Sequence, residues 1–89
     1  MPFSETMHAL ADQNRRRILG LLKRGDLSVG EILPHLKMTG ASLSHHLAVL
    51  KKADLVSSRR EGQQIFYTLN LSIFEEIINE LSNFIGKDA

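Results

Sequence analysis

Eighty-nine residues without a Cys, at a formal net charge of +1, describe one small domain over residues 1–89 with neither disulfides nor a thiolate metal site. A sum this near zero excludes a chain-wide polycation that would coat any polyanion. A chain this short buries only about 60–65% of its unfolded surface, so self-association is the expected route to a larger core.

The N-terminus carries an early acid and no long apolar run, so neither a signal peptide nor membrane insertion is expected, and the cytoplasm is the expected location. Phe3, Met7 and Leu10 recur at helical spacing and predict a short first helix, with Ser4 as its candidate cap. Asp12-Gln13-Asn14 interrupts it, and Asp12 or Asn14 can cap the next helix. That second helix is predicted over 15–24, with Ile18, Leu19, Leu21 and Leu22 inward and Gly25 ending it. Arg15, Arg16 and Arg17 stand at its start, an electrostatically poor place for cations. Two readings stay open for them: a wet face paired with nearby acids, or contacts to a phosphate.

Asp26-Leu27-Ser28 is long enough only for a bridging strand. Ser28 followed by Glu31 matches a capping box and opens a third helix, with Ile32, Leu33 and Leu36 inward and Pro34 in its first two turns. Lys37 to Thr39 then turns the chain into a central helix with Leu43, Leu47 and Leu50 on one stripe and Thr39 as cap. No acid occurs between Met38 and Lys52. The outward residues are short and polar (Ser42, Ser44, His45), and the helix ends on Lys51 and Lys52. Two short helices joined by a few residues, the second polar outward, form a helix-turn-helix whose second helix suits a DNA major groove.

After Lys52 the period changes to two. Val56 to Arg60 and Ile65 to Leu69 are β-rich runs flanking Glu61-Gly62-Gln63-Gln64, which predicts a hairpin with Gly62 in the turn. Arg59, Arg60, Gln63 and Gln64 at its tip can all donate hydrogen bonds. Ser72, with Glu75 three residues on, is expected to cap a last helix. Its apolar stripe of Ile73, Phe74, Ile77, Ile78, Leu81, Phe84 and Ile85 fills seven of thirteen positions. That is wider than a small core needs. Half can serve the domain itself, and half, with Phe3, Met7 and Leu10, a second copy.

Charge is unevenly spread. Residues 15–24 hold five basic side chains and no acid, whereas from Ile65 onward Glu75, Glu76, Glu80 and Asp88 stand against Lys87. A basic middle beside an acidic tail lets the domain show one positive face at a small net charge.

The runs Arg15-Arg16-Arg17-Ile18-Leu19, Ser42-Leu43-Ser44-His45-His46-Leu47-Ala48-Val49-Leu50 and Arg60-Glu61-Gly62-Gln63-Gln64-Ile65-Phe66-Tyr67-Thr68-Leu69 together resemble the ArsR-type winged-helix repressors. The resemblance covers nearly the whole chain. It implies a mainly α fold of about five helices with a small two-stranded β-hairpin wing, and a homodimer joined through the first and last helices. The interface residues would be Phe3, Met7, Leu10, Ile73, Phe74, Ile77, Ile78, Leu81 and Phe84. It places DNA contacts on Thr39, Gly40, Ala41, Ser44 and His45 and on Arg59, Arg60 and Gln63; the residues themselves add Ser42, Lys51 and Gln64. At Gly40 and Ala41 relatives often carry longer polar side chains, so base readout here would rest on Ser42, Ser44 and His45 or on close backbone approach.

Many members of that family sense metals. Here the thiolate pair expected on the third helix is replaced by Gly30-Glu31-Ile32-Leu33-Pro34-His35, and the last helix offers only Glu75, Glu76, Asn79, Glu80 and Asn83. His8 and His35 stand alone on amphipathic helices. His45 and His46 point about 100° apart and cannot chelate one ion together; His45 looks toward DNA, and His46 packs or meets a phosphate. The expectation is a sequence-specific transcriptional repressor, metal-independent and cofactor-free, that binds double-stranded DNA as a homodimer on an inverted repeat. Release would then need another signal, with a protein anti-repressor as one candidate. The alternatives are a winged-helix module whose main partner is a protein, and a repressor answering an unrecognised ligand. Catalysis is not expected: there is no glycine-rich phosphate loop, no Ser-His-acid arrangement with a pocket, and the neighbours Glu75 and Glu76 diverge on a helix.

Overall fold

The computed structural model describes residues 1–86. Lys87 and Asp88, counted above in the acidic tail, lie outside them. The order is α1 (Phe3–Leu10), α2 (Gln13–Leu22), β1 (Leu27–Ser28), α3 (Val29–Ile32), a 3₁₀ turn (Leu33–His35), α4 (Gly40–Lys52), β2 (Val56–Glu61), β3 (Gln64–Leu69) and α5 (Leu71–Phe84). Five helices and a hairpin match the expected architecture.

Three helix starts have a side-chain cap. Asp12 accepts from the Arg15 amide and caps α2, which begins two residues earlier than the apolar pattern implies. The predicted box at α3 is present: the Ser28 hydroxyl accepts from the Glu31 amide at 3.2 Å, and Glu31 accepts from the Ser28 amide at 2.8 Å. Thr39 caps α4 by accepting from the Ser42 amide at 3.1 Å. Three expectations need correction. Ser4 does not cap α1, which starts behind Pro2 without a side-chain cap. The third helix is one turn of α-helix, with Pro34 in the adjoining 3₁₀ turn; a ring without an N–H fits that first turn. Ser72 does not cap α5 either, because the helix starts two residues earlier than such a cap implies, behind Asn70.

The Asn70 side chain is engaged elsewhere. Its amide donates to the Asp54 carbonyl at 2.8 Å, and its oxygen accepts from the Ser57 hydroxyl at 2.7 Å. Asp54 is the only non-glycine at positive φ among the described residues (61°). It ends α4 in a Schellman motif, with the Leu55 amide returning to the Leu50 carbonyl and the Asp54 amide to that of Lys51. Asn70 thus fastens this corner to the start of α5.

The short run at Leu27–Ser28 is indeed a bridging strand. It pairs antiparallel with β3 (Leu27 opposite Tyr67), so the hairpin extends into a three-stranded sheet of order β1-β3-β2. In the hairpin Glu61 faces Gln64 across a two-residue turn, where Gly62 holds a φ of 65°. Ile18, Ile32, Leu43, Leu47, Leu50, Leu55 and Val56 are fully buried and form one core with Ala9, Leu22 and Ile77. Each such side chain contributes about 1.5–3 kcal/mol by leaving water. Ile77, read from the sequence as part of a dimer face, lies in the chain's own core.

Candidate nucleic-acid interface

Leu43, Leu47 and Leu50 hold α4 against the core, and this fixes which residues face away. Thr39, Gly40, Ala41, Ser44, His45, Ala48, Lys51 and Lys52 are exposed, and Ser42 is half-buried. No acid interrupts this surface. Lys51 lies two turns beyond Ser44 on nearly the same side, while Gly40, Ala41, Ser44 and Ala48 keep the relief low. Such a face lets a helix backbone come close to another surface, with Lys51 and Lys52 offering charge at its end. Ala48 was missed by the sequence reading, although it stands four residues after Ser44 and the helical period alone places it here.

The wing residues separate into two kinds. Arg59 and Arg60 are neighbours on a strand and therefore point to opposite faces. Arg59 is held: its Nε donates to Glu61 at 2.6 Å, its Nη1 to the Asp26 carboxylate, and its guanidinium lies 5.2 Å from the centre of the Phe66 ring. Hydrogen bonding from the Thr68 hydroxyl, then from Arg59, holds the Asp26 carboxyl below its ordinary 3.8. Glu61, then Asp26, holds Arg59 more firmly protonated than a free arginine. Much of the Arg59 charge is therefore already balanced by two carboxylates. Arg60 is exposed, donates only to the Gly62 carbonyl at 3.3 Å, and pairs with no carboxylate among the described residues. Gln63 and Gln64 are exposed beside it. Asp26 and Thr68 were not anticipated, since only the β1–β3–β2 register brings them to Arg59.

The arginines at the start of α2 do not form the acid-paired face, since none of them pairs with a carboxylate among the described residues. Arg15 is buried, and its Nε and Nη2 donate to the carbonyls of Ala9 (2.8 Å) and His8 (3.1 Å). Arg16 donates to the Leu10 carbonyl at 2.7 Å, and Arg17 to that of His35 at 3.3 Å. Arg15 and Arg16, disfavoured at the head of α2, instead donate to the last carbonyls of α1, where the dipole is negative. His46 is largely buried, beside Arg15 and Asp12, whereas His45 points outward.

From the cap of α2, through α4 and into β2, residues 12–58 match the family described as Bacterial regulatory protein, arsR family. The chain belongs to the ArsR family. It is 46% identical over 79 residues to the transcriptional repressor SdpR of Bacillus subtilis (strain 168), a match covering 89% of this chain and 88% of that protein. It is 39% identical over 75 residues to the transcriptional activator HlyU of Vibrio cholerae, covering 84% and 69%. Among solved structures, an ArsR-like transcriptional regulator from Rhodococcus sp. RHA1 superposes at a TM-score of 0.83 with 26% identity, covering 91% of this chain and 76% of that one. As an ArsR-family protein the chain is a winged helix-turn-helix transcriptional regulator that binds double-stranded DNA, and it is not an enzyme. Among the described residues no helix is long and apolar enough to cross a membrane.

Proposed function

We propose that this ArsR-family regulator is a cytoplasmic repressor acting as a homodimer on a short inverted repeat near its own promoter. In this reading α4 enters the major groove, Ser42, Ser44 and His45 contact base edges, and Thr39, Gly40 and Ala41 let the helix N-terminus approach the backbone. Lys51, Arg60, Gln63 and Gln64 meet phosphates, with Arg59 shaping the wing. The acid-free, low-relief outer face of α4 carries this reading. Two-fold symmetry would set the half-sites about one helical turn apart, roughly 10–11 bp.

The dimer would form through α1 and α5. Phe3 meets Phe84 edge-on at 5.6 Å, and Ile78, Leu81, Phe84 and Ile85 remain exposed beyond them, an apolar surface that a lone small domain seldom leaves wet. Repression would not respond to metals. In support, the chain has no Cys, and no three His, Asp or Glu side chains gather around a common point among the described residues. Release would then fall to a non-metal signal, for which a protein anti-repressor is our candidate.

Fluorescence anisotropy on the DNA upstream of the protein's own gene tests this, at two salt concentrations and with added EDTA or Zn(II). Tight binding that weakens steeply with salt and ignores both additions is the expected result. Release by micromolar Zn(II) would overturn metal independence, and equal binding to random DNA would overturn autoregulation.

A further inference from the structure

Arg15 is only 8% exposed although it stands in the first turn of α2, and each of its three guanidinium nitrogens has a partner. Two of its donors go to the last carbonyls of α1, as described. The third, Nη1, lies 3.3 Å from Nδ1 of His46 on α4. A guanidinium has donors and no acceptor. The contact is therefore a hydrogen bond in the His46 tautomer that leaves Nδ1 bare and carries the proton on Nε2. Asp12 borders the same ring, with Oδ2 3.7 Å from Nδ1 while it also accepts from the Arg15 amide. The neighbouring His45 ring is 5.8 Å away and tilted by 57°. The other polar link between α1 and α4, Lys52 to Glu5 at 3.9 Å, is exposed and long.

We propose that Arg15 is a positioning residue for the DNA-reading helix: through the Nδ1 of His46 it sets the rotation of α4 about its own axis. The inference rests on α4 being that helix. Apolar burial of Leu43, Leu47 and Leu50 fixes how deeply α4 sits, but this attraction is non-directional and tolerates a helix rolling by several degrees. A hydrogen bond from a rigid, planar fork does not. His46 adjoins His45 and stands two residues from Ser44, so a roll about this bond moves both outward side chains together. Because the fork is anchored on α1 rather than on α2 alone, the orientation of α4 is referred to a helix outside the helix-turn-helix unit.

His46 is the residue to substitute, because removing Arg15 also strands buried carbonyls. In His46→Asn the Oδ1 atom lies close to where Nδ1 was and keeps an acceptor for Arg15; His46→Leu fills the space and keeps none. The probe is a duplex selected by the wild-type protein from a randomised pool, with random DNA as reference and thermal unfolding measured in parallel. His46→Leu should lose about tenfold in specific affinity, the size of one charge-assisted hydrogen bond, at unchanged random-DNA affinity. His46→Asn should stay within about twofold of wild type, although Asn is the poorer helix former and lowers the unfolding midpoint more. Stability and affinity thus rank the two variants in opposite orders. Arg15→Lys should add little to the loss already caused by His46→Leu. Wild-type affinity in His46→Leu, or affinities that track the stability ranking, would overturn the proposal. If Ser44→Ala and His45→Ala lose discrimination while His46→Leu does not, only the positioning role falls. If all three bind as wild type, the base-reading role of α4 falls with it.

Discussion

The outer face of α4 carries small side chains, and Gly40 shows what that implies. A Cβ at Gly40 would meet no atom within 4 Å, so the chain's own packing does not require glycine there. Gly40→Ala should therefore leave the unfolding midpoint unchanged or slightly higher, alanine being the better helix former by up to about 1 kcal/mol. Under the proposed docking DNA affinity should nevertheless fall, because the added methyl would stand where the helix N-terminus approaches the groove; titration of wild type and variant against one duplex checks this. The two wing arginines should also separate. Arg60→Ala should weaken specific and random DNA alike and lower the slope of log affinity against log salt by about one. Arg59→Ala should change that slope less, since Glu61 and Asp26 already balance Arg59. The chemical type of each of these side chains was evident from sequence. The partner of Arg59 was not, because Asp26 lies 33 residues away and no local pattern links them.

At the scale of elements, the joints decide more than the helices. Asn70 holds both the Asp54 carbonyl and the Ser57 hydroxyl, so it fixes where α5 leaves the sheet. Asn70→Ala should cost about 1–3 kcal/mol, one ordinary hydrogen bond plus an unsatisfied partner, read as a shift in the denaturant midpoint without a change in slope. The Asp26–Arg59 clamp should make the wing acid-sensitive. With the folded carboxyl titrating below 3.8, its stabilising contribution is complete above that value and is lost as pH falls through the lower, folded one. The protection of β3 amides against hydrogen exchange, relative to their intrinsic rate at each pH, should fall in acid in wild type, whereas Asp26→Asn should show a looser wing with less dependence on pH. The capping signals at Asp12, Ser28 and Thr39 were readable because a cap and its amide lie within three residues. Ser4 and Ser72 carried the same signal and failed, since a preceding Pro2 and Asn70 start those helices one or more residues earlier.

For the whole molecule the open question is the second copy. Ile78 is 62% and Phe84 69% exposed on the outer side of α5, where a protomer leaves apolar area that a partner helix would cover. Ile78→Glu combined with Leu81→Glu should give a folded monomer by sedimentation, with near-wild-type helical signal. Specific DNA affinity should drop by far more than random-DNA affinity, because a monomer reads one half-site. Retention of the dimer would move the interface away from α5.

Periodicity, caps and turn chemistry act over two to four residues, and these features by themselves determined the five helices, the hairpin and the leucine stripe of α4, while the motif residues carried the resemblance to the family. The sequence also determined the polar, acid-free character of the outer face of α4. Contacts between residues far apart in the chain were decided only in the tertiary structure. Folding turned Ile77 into the core, balanced Arg59 against Asp26, added β1 to the hairpin and sent Arg15 to the carbonyls of α1 and to His46. A guanidinium reaches several acceptors from one position, and which of them it finds depends on how helices pack. Pattern within a segment carries no record of that packing.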